Sequence, residues 1–526
     1  MRILYKIANK LFRIVKKILK LLTSRMVIIG VALLLEFCWL AGIVMQLNEK
    51  SVYINYAVTI LSLIAVLSII NNPKMNPGYK LMWAVCILAL PVTGICLYGI
   101  LGHSSVARKF RTHYDTVLLS QGGVLGEEEE TRKKLEEENI LAAGQSSYLT
   151  NYAHYPVYEN TETEYYPLGD VWFEHFIEEL KKAEHYIFME YFIIADGYMW
   201  DTIREILEKK AAEGVDIRLI YDDFGCITTM PPKFYKDLQA KGIKCAAFNT
   251  VRPLLNIVLN NRDHRKIMVI DGHTAFTGGI NLADEYINQK ERFGHWKDSG
   301  VYLHGEAVWN FTVMFLRMWS VITRMDCDFE TFRPHKYHLE TFEKDGFVQP
   351  YGDIPMDDET VGEHVYLNII SQAKDYLYIF TPYLIVDNET MKALCLSAKR
   401  GVDVRIMTPG IPDKKMVFLL TQSYYEELLD AGVRIYQYSP GFLHSKSFVS
   451  DDKIAVVGTI NLDYRSLYLH FECGVWMYQT RSVDQVKQDF LDTLEVSREI
   501  TLEFCRNRNI AVRAAQSILR LIAPLL

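Results

Sequence analysis

The stretch "HSKSFVSDDKIAVVGTIN", residues 444–461, places a histidine and a lysine two positions apart in a run of strand-forming residues. The same arrangement occurs in "HRKIMVIDGHTAFTGGIN", residues 264–281. In both copies an aspartate follows the lysine by five positions, and a Gly-x-x-Asn begins seven positions after the aspartate. One such pattern arises readily by chance, whereas two copies with matched spacing indicate a duplicated functional motif.

The duplication extends into the surrounding chain. Residues 176–223 and 366–410 each read as helix, strand, helix, strand, and they contain the near-identical segments "GVDIRLI" and "GVDVRIM". Alternating helical and strand patterns are typical of an α/β fold, and a repeat of this length indicates two half-domains rather than a solenoid. We therefore predict two repeated α/β half-domains that pack about a pseudo-twofold axis.

The N-terminal part of the chain is much more apolar than the rest. Residues 26–47, 52–70 and 81–101 are each long enough to cross a bilayer as a helix. Residues 1–25 combine apolar and basic side chains at helical spacing, which predicts an amphipathic helix on an anionic membrane surface, with an ordinary solvated helix as the alternative. The sequence therefore predicts an α-helical membrane anchor with about three transmembrane helices.

These patterns divide the chain of 526 residues into six segments. They are an amphipathic basic helix (1–25), the transmembrane helices (26–110), a charged linker (111–150), the first half-domain (151–345), the second half-domain (346–500) and an amphipathic C-terminal tail (501–526). The chemistry-bearing motifs fall one in each half-domain.

Charge and cysteine content narrow the classes of function. A formal net charge of −7 argues against a general nucleic-acid binder, because such proteins present a basic surface to phosphates. The nine cysteines show no paired or C-x-x-C spacing, which argues against a structural zinc site and a disulfide framework. We expect no nucleic-acid partner, no metal and no cofactor.

The duplicated motif suits chemistry on an anionic group. Strand alternation places the histidine and lysine of each copy on the same face, where the lysine supplies positive charge and the histidine can attack phosphorus or transfer a proton. The candidate catalytic residues are His264, Lys266, Asp271, His444, Lys446 and Asp451. For the two aspartates, support of a turn and direct electrostatic work are both open.

The glycine-rich turns after the motif strands are candidates for binding phosphate. Their backbone amides can approach a phosphoryl group closely, and their asparagines can donate a hydrogen bond to it. The candidate phosphate-binding residues are Gly279, Asn281, Thr459 and Asn461. Two copies that face each other would surround a single phosphate.

The H-x-K-x4-D-x6-G-x-x-N pattern resembles the signature of the phospholipase D superfamily. Two further segments, "HWKDSGVYLHGEAV" (295–308) and "NLDYRSLYLHFE" (461–472), resemble bacterial cardiolipin synthases, and the resemblance covers nearly the whole chain. The chain departs from that family at His470, where asparagine is usual, and in its third apolar segment, where two spans are common.

The resemblance implies a double displacement without metal or cofactor. His264 is provisionally the nucleophile that forms a phosphatidyl-histidine, and His444 is the acid and then the base, although the roles could be exchanged. Asp298 and Glu472 resemble the acids that orient these histidines. Because Glu472 follows His444 by 28 positions, we expect it to hold the ring of His444 as imidazolium.

The implied activity is that of a cardiolipin synthase, which transfers a phosphatidyl group between two phosphatidylglycerol molecules and releases glycerol. A hydrolytic phospholipase D and another phosphatidyltransferase, such as a phosphatidylserine synthase, are the alternatives within the same chemistry. A membrane-bound nuclease or an inactive scaffold is disfavoured by the acidic net charge and by the two intact motifs. The expected partners are the phospholipid substrate and the membrane, and the sequence does not indicate an oligomeric state.

The expected location is the bacterial cell membrane, with several membrane-spanning helices. The basic N-terminus combined with three spans would place the half-domains outside the cell. Basic residues after the third span and the cysteines of the half-domains favour the cytoplasmic face instead.

Overall fold

The structure is a computed structural model in which two compact units are distinguished. It describes residues 30–31, 33–37, 50–102, 105–126, 129–249, 261–338, 341–357 and 359–525. The N-terminal unit comprises Met1–Lys109 with Val251–Leu259, and the larger unit comprises Phe110–Thr250 with Asn260–Leu526. The predicted amphipathic helix, 1–25, and most of the first predicted span lie outside the described residues.

The N-terminal unit contains the helices α1 (Lys50–Ile70), α2 (Pro77–Ala89) and α3 (Pro91–Leu101). The third predicted span is thus two helices, because a proline disfavours helical backbone in the residue before it and Leu90 is non-helical. The carboxylate of the buried Glu36 accepts the Thr93 N–H at 2.7 Å, at the buried start of α3, where the first N–H groups have no partner within the helix. In the described part of the chain, no helix has the length and apolar character needed to cross a membrane.

The larger unit contains two sheets built in the same way. The first half contributes β1 (Thr161–Tyr166), β2 (Tyr186–Tyr191), β3 (Asp216–Asp222), β4 (Lys244–Phe248), β5 (Lys266–Ile270), β6 (Thr274–Gly278), β7 (His295–Lys297) and β8 (Gly300–Gly305). The second half contributes β9 (Phe347–Asp353), β10 (Tyr376–Phe380), β11 (Asp403–Pro409), β12 (Arg434–Tyr438), β13 (Gly441–Leu443), β14 (Ser447–Ser450), β15 (Ile454–Gly458), β16 (Glu472–Tyr478) and β17 (Ser497–Ile500).

The strand orders confirm the predicted duplication and the α/β class. The first sheet runs β1-β8-β6-β5-β2-β3-β4, and the second runs β9-β16-β15-β14-β10-β11-β12-β17. In each sheet three neighbouring strands are parallel (β2, β3, β4 and β10, β11, β12), and the motif strand pairs antiparallel with the first of them. The second sheet differs from the first by the added edge strand β17.

Helices surround both sheets. They are α4 (Ser105–Ser120), α5 (Glu129–Glu138), α6 (Ile140–Tyr152), α7 (Gly169–Lys182), α8 (Tyr198–Ala212), α9 (Asp223–Cys226), α10 (Phe234–Ala240), α11 (Val308–Thr323), α12 (Val361–Gln372), α13 (Asn388–Lys399), α14 (Lys415–Thr421), α15 (Tyr425–Asp430), α16 (Tyr464–Tyr468), α17 (Arg481–Glu495), α18 (Leu502–Arg506) and α19 (Ile510–Leu521). In α7, Trp172, Phe176 and Leu180 recur at helical spacing and are buried. The helix α11 is apolar nearly all round because it contacts both the first sheet and β9.

The described part of the segment predicted as a charged linker, 111–150, contains most of α4, all of α5 and most of α6. Its last helix, α6, has small residues that allow close packing. Gln145 of this helix makes two side-chain hydrogen bonds with the second half-domain. The Gln145 side chain accepts the Trp476 indole N–H at 2.8 Å and donates to Gln372 at 2.9 Å. These contacts make the end of the predicted linker part of the larger unit.

The C-terminal tail, 501–526, forms α18 and α19. Gln516 and Leu519 of α19 are buried, and Gln516 donates to the Leu419 carbonyl at 3.0 Å. Ile510 and Ile518 are exposed on the same helix. One face of α19 therefore packs on the second half-domain, and the interfacial role expected of the tail stays a prediction.

Candidate active site

The two motif histidines are each fixed by the other half of the repeat. The His264 N–H donates to the Phe471 carbonyl at 2.9 Å, and the His444 N–H donates to the Lys297 carbonyl at 2.7 Å. Short strands β7 and β13 pair in parallel beside these contacts. The two halves therefore exchange equivalent backbone bonds at the point where the motif strands begin.

The side chains repeat this exchange. His264 Nδ1 lies 2.9 Å from both oxygens of Glu472, and His444 Nδ1 lies 2.6 Å from Asp298 Oδ2. The expected pairing of Glu472 with His444 is therefore wrong. Glu472 begins β16 of the second sheet, and this strand end faces the histidine of the first half, which separation along the chain does not reveal.

Lys266 and Lys446 are buried beside the histidines. Each ammonium donates to the carbonyl of its own motif histidine, and the Lys266 contact measures 2.6 Å. Burial lowers the pKa of Lys266 to about 8 and that of Lys446 to about 7, because the charged form loses its hydration. An anion bound between them would restore the charged form of both lysines.

The surroundings of both histidines favour the neutral ring. Burial lowers the pKa of His264 well below its usual range, and the positive charges of Lys266 and Lys446 lower it further. Burial and the Lys446 charge lower the pKa of His444 to about 4, although Asp298 acts in the opposite direction. The rings of Tyr286, Trp296 and Phe442 lie within 6 Å of the His444 ring and account for much of its burial.

We predict that kcat/KM falls as pH rises through about 7 to 8, well below the usual lysine range. Deprotonation of Lys446, and then of Lys266, removes the charge that binds an anionic phosphodiester. A pH profile of initial rates under subsaturating lipid tests this. In Lys446→Arg the remaining falling limb should move towards the pKa of Lys266. A profile that stays level to the ordinary lysine pKa would contradict the prediction.

The motif aspartates lie at turns rather than among the histidines and lysines. The Asp271 carboxylate accepts the backbone N–H groups of residues 184, 185 and 186, and the Asp451 carboxylate accepts those of 374, 375 and 376. Both aspartates have positive φ, at 50° and 56°. This geometry favours the turn-supporting role and speaks against the catalytic one.

We predict that Asp271→Ala destabilises the protein by about 2–4 kcal/mol, because buried N–H groups lose a charged acceptor. Asp451→Ala should cost about 1–2 kcal/mol, since two of its three donors are exposed to water. Thermal unfolding in detergent measures the difference. Specific activity per folded molecule should stay near that of the unsubstituted protein. A loss of activity above about 100-fold with unchanged stability would restore the catalytic role.

The two turn asparagines are not equivalent. Asn281 accepts the Ile193 N–H at 3.0 Å and donates to the Tyr286 hydroxyl at 2.8 Å, so its amide is occupied within the protein. The buried Asn461 has an Oδ1 atom without a hydrogen-bond partner in the described chain. An amide oxygen accepts hydrogen bonds, so this atom would not bind a phosphoryl oxygen, and phosphate binding by Asn461 stays a prediction that rests on its NH2 group.

The other two predicted phosphate binders support the carboxylates instead. The Gly279 N–H donates to the Ser299 carbonyl at 2.9 Å, and a Cβ at Gly279 would lie 2.0 Å from Asp298 Oδ1. The Thr459 hydroxyl donates to Glu472 Oε2 at 2.5 Å. Their predicted direct role is therefore not what the geometry shows: glycine makes room for one carboxylate, and threonine holds the other.

The structure adds residues that the motif pattern does not predict. Phe192 packs edge-on against the His264 ring at 5.0 Å and lies 5.6 Å from Lys266 Nζ. The ring of His470 lies 5.5 Å from that of His264. His470 was detectable in the sequence as a departure from the family pattern, whereas Phe192 carries no signal beyond an apolar residue after a strand. In the described chain, His264, His470 and Glu472 form a group of metal-ligating type.

Comparison with known proteins agrees with this arrangement. Residues 176–319 and 366–494 match the family described as cardiolipin synthase, PLD-like domain, and residues 60–103 match the phospholipase D-nuclease N-terminal family. An uncharacterized protein of Streptococcus mutans serotype c is 44% identical, with 88% of this chain and 99% of the relative covered. A cardiolipin synthase of Halalkalibacterium halodurans is 35% identical, with 86% and 90% covered.

A solved structure supports the fold. The phosphatidylserine synthase of Haemophilus influenzae Rd KW20 superposes with a TM-score of 0.55 over 73% of this chain and 99% of its own, at 14% identity. At that identity the likeness concerns the fold alone. The family match over both halves of the repeat, together with relatives that span most of their own length, decides the classification. The chain belongs to the cardiolipin synthase family of the phospholipase D superfamily.

Proposed function

We propose that this chain is a cardiolipin synthase that transfers a phosphatidyl group from one phosphatidylglycerol molecule to another and releases glycerol. The observation that carries the proposal is the reciprocal site, in which each motif histidine contacts a carboxylate of the other half. Family membership supports the same activity. Lys266 and Lys446 supply the positive charge that a phosphodiester requires.

The first step forms a bond between His264 Nε2 and phosphorus and breaks the bond from phosphorus to the glycerol oxygen. The Glu472 carboxylate accepts a hydrogen bond from the Nδ1–H group of His264, so Nε2 carries the lone pair that attacks. His444 donates a proton to the departing glycerol. In the second step His444 accepts the proton of the incoming hydroxyl, whose oxygen attacks phosphorus as the bond to His264 breaks.

The choice of His264 as nucleophile has a different basis from the one expected from the sequence. Asp298, rather than Glu472, favours the charged form of His444, while Lys266 and Lys446 disfavour the charged form of His264. A histidine with the lower pKa is the better placed of the two to remain neutral and attack. The bound phosphodiester anion would raise the pKa of both rings and allow His444 to hold its proton.

We also propose that the enzyme works at the bacterial cell membrane through a multi-pass anchor within residues 26–110. The apolar segments 26–47, 52–70 and 81–101 support this, as does the match to an N-terminal family module. The cysteines of the half-domains favour a catalytic unit on the cytoplasmic face. An anchor would deliver two lipid substrates to one site.

The test is a product assay with the full chain in mixed micelles of phosphatidylglycerol and detergent. Cardiolipin and glycerol should appear in equal amounts. Phosphatidic acid with little cardiolipin would instead identify a hydrolytic phospholipase D. Formation of phosphatidylserine on addition of serine, the alcohol that would accept the phosphatidyl group, without cardiolipin, would identify another phosphatidyltransferase.

A further inference from the structure

A third histidine lies beside the candidate nucleophile. The ligand atoms of His264, His470 and Glu472 all lie within 4.8 Å of one another. His264 Nδ1 is 2.9 Å from Glu472 Oε1, and His470 Nδ1 is 3.6 Å from the same oxygen. Two imidazoles and one carboxylate are the donors of many zinc sites that keep a fourth position open.

His470 has unused bonding capacity. Both of its ring nitrogens are shielded from water and lack a hydrogen-bond partner among the residues that the structure describes. A neutral imidazole always carries one nitrogen lone pair, which can bind a metal ion. The asparagine that is usual at this position in the family has no nitrogen lone pair to offer, so the feature depends on the residue present here.

We propose that His264, His470 and Glu472 form an inhibitory site for a divalent transition-metal ion, with Zn²⁺ as the best fit. Tetrahedral zinc with bonds of about 2.0–2.2 Å separates its ligand atoms by about 3.4 Å, which small side-chain adjustments of this group can reach. The ion is distinct from any catalytic cofactor, because it occupies the group that performs the attack. This consequence for turnover rests on the proposed function.

The metal would block His264 by fixing its tautomer. His264 Nδ1 lies 2.9 Å from both oxygens of Glu472, and this contact favours the tautomer in which Nδ1 carries the ring proton and Nε2 the lone pair. A metal ion on Nδ1 needs the lone pair at that atom, so the proton moves to Nε2 and removes the nucleophile. The nearby charges of Lys266 and Lys446 oppose a cation, so we expect a roughly micromolar affinity, weaker than that of a structural zinc site.

The experiment is a Co²⁺ titration of the full chain in detergent, free of an affinity tag, followed by the visible absorption of tetrahedral Co²⁺. We expect one bound ion that Zn²⁺ displaces. His470→Asn should weaken binding by at least about tenfold, whereas the exposed His335→Asn should leave it unchanged. Equal Co²⁺ spectra and affinities in the unsubstituted chain and in His470→Asn, or no tetrahedral Co²⁺ signal, would overturn the proposal.

Activity provides the second readout. Zn²⁺ should inhibit cardiolipin formation, EDTA should restore it, and His470→Asn should need at least about tenfold more Zn²⁺ for the same fractional inhibition. Inhibition that is equal in both proteins would contradict the proposed site. If the chain made no cardiolipin, the proposed function would fail, while the Co²⁺ titration would still decide whether the metal site exists.

Discussion

His264→Ala should lower phosphatidyl transfer by at least about 1,000-fold, because the atom that forms the bond to phosphorus is lost. His444→Ala should cause a loss of about 100- to 10,000-fold with phosphatidylglycerol, since glycerol then leaves without a proton. The exposed His335→Ala serves as the matched control and should retain full activity. Near-normal turnover in either motif variant would contradict a single shared site.

A substrate with an acidic leaving group separates the two roles. In a phosphatidyl ester of p-nitrophenol, the p-nitrophenolate leaves without protonation. His444→Ala should therefore release p-nitrophenolate in a rapid burst and then stop turning over, with the lipid phosphoryl group on His264. His264→Ala should show no burst. Rapid quenching with labelled lipid and peptide mapping locates the phosphoryl group, and its recovery on His444 would reverse the assignment.

Lys266→Met and Lys446→Met should each lower kcat/KM by about 100- to 1,000-fold, the scale of losing one donor to a developing oxyanion. Methionine fills much of the same buried volume, so the lost ammonium rather than a cavity should dominate the effect. Lys392→Met, whose side chain is exposed beside Glu427, is the control. Steady-state rates and thermal unfolding should be measured together.

The outcome for the lysines separates a chemical from a structural role. A loss of less than tenfold in a folded variant would assign that lysine to support of its histidine carbonyl. Lys266 and Lys446 make the same contact with a histidine carbonyl, so their replacement should lower stability equally if that contact dominates. A large loss of stability in only one variant would show that other contacts of that lysine matter more.

The local sequence was sufficient to predict the repeat. The matched spacing in 264–281 and 444–461 predicts two motif strands, and the sheets contain β5 and β14 at equivalent positions. Both histidines, predicted to lie within these strands, come just before them. Such patterns are readable because the strand period and the preference of glycine for turns act over a few residues. The reduced pKa values of the buried lysines could not be read in this way, since they depend on burial from all sides.

What only the tertiary structure decided is which group faces which. Glu472 contacts His264 rather than His444, Thr459 holds Glu472, and Asp271 supports a backbone turn. The contact of Glu472 with His264 joins residues 208 positions apart, and that of Asp271 with Tyr186 joins residues 85 positions apart. The direction of a side chain at a strand end also depends on how the strands and sheets are packed. The sequence by itself thus determined the duplicated α/β fold and the chemistry of its motif residues. Packing within and between the halves determined their partners, because hydrogen bonds and burial depend on distances in space rather than on separation along the chain.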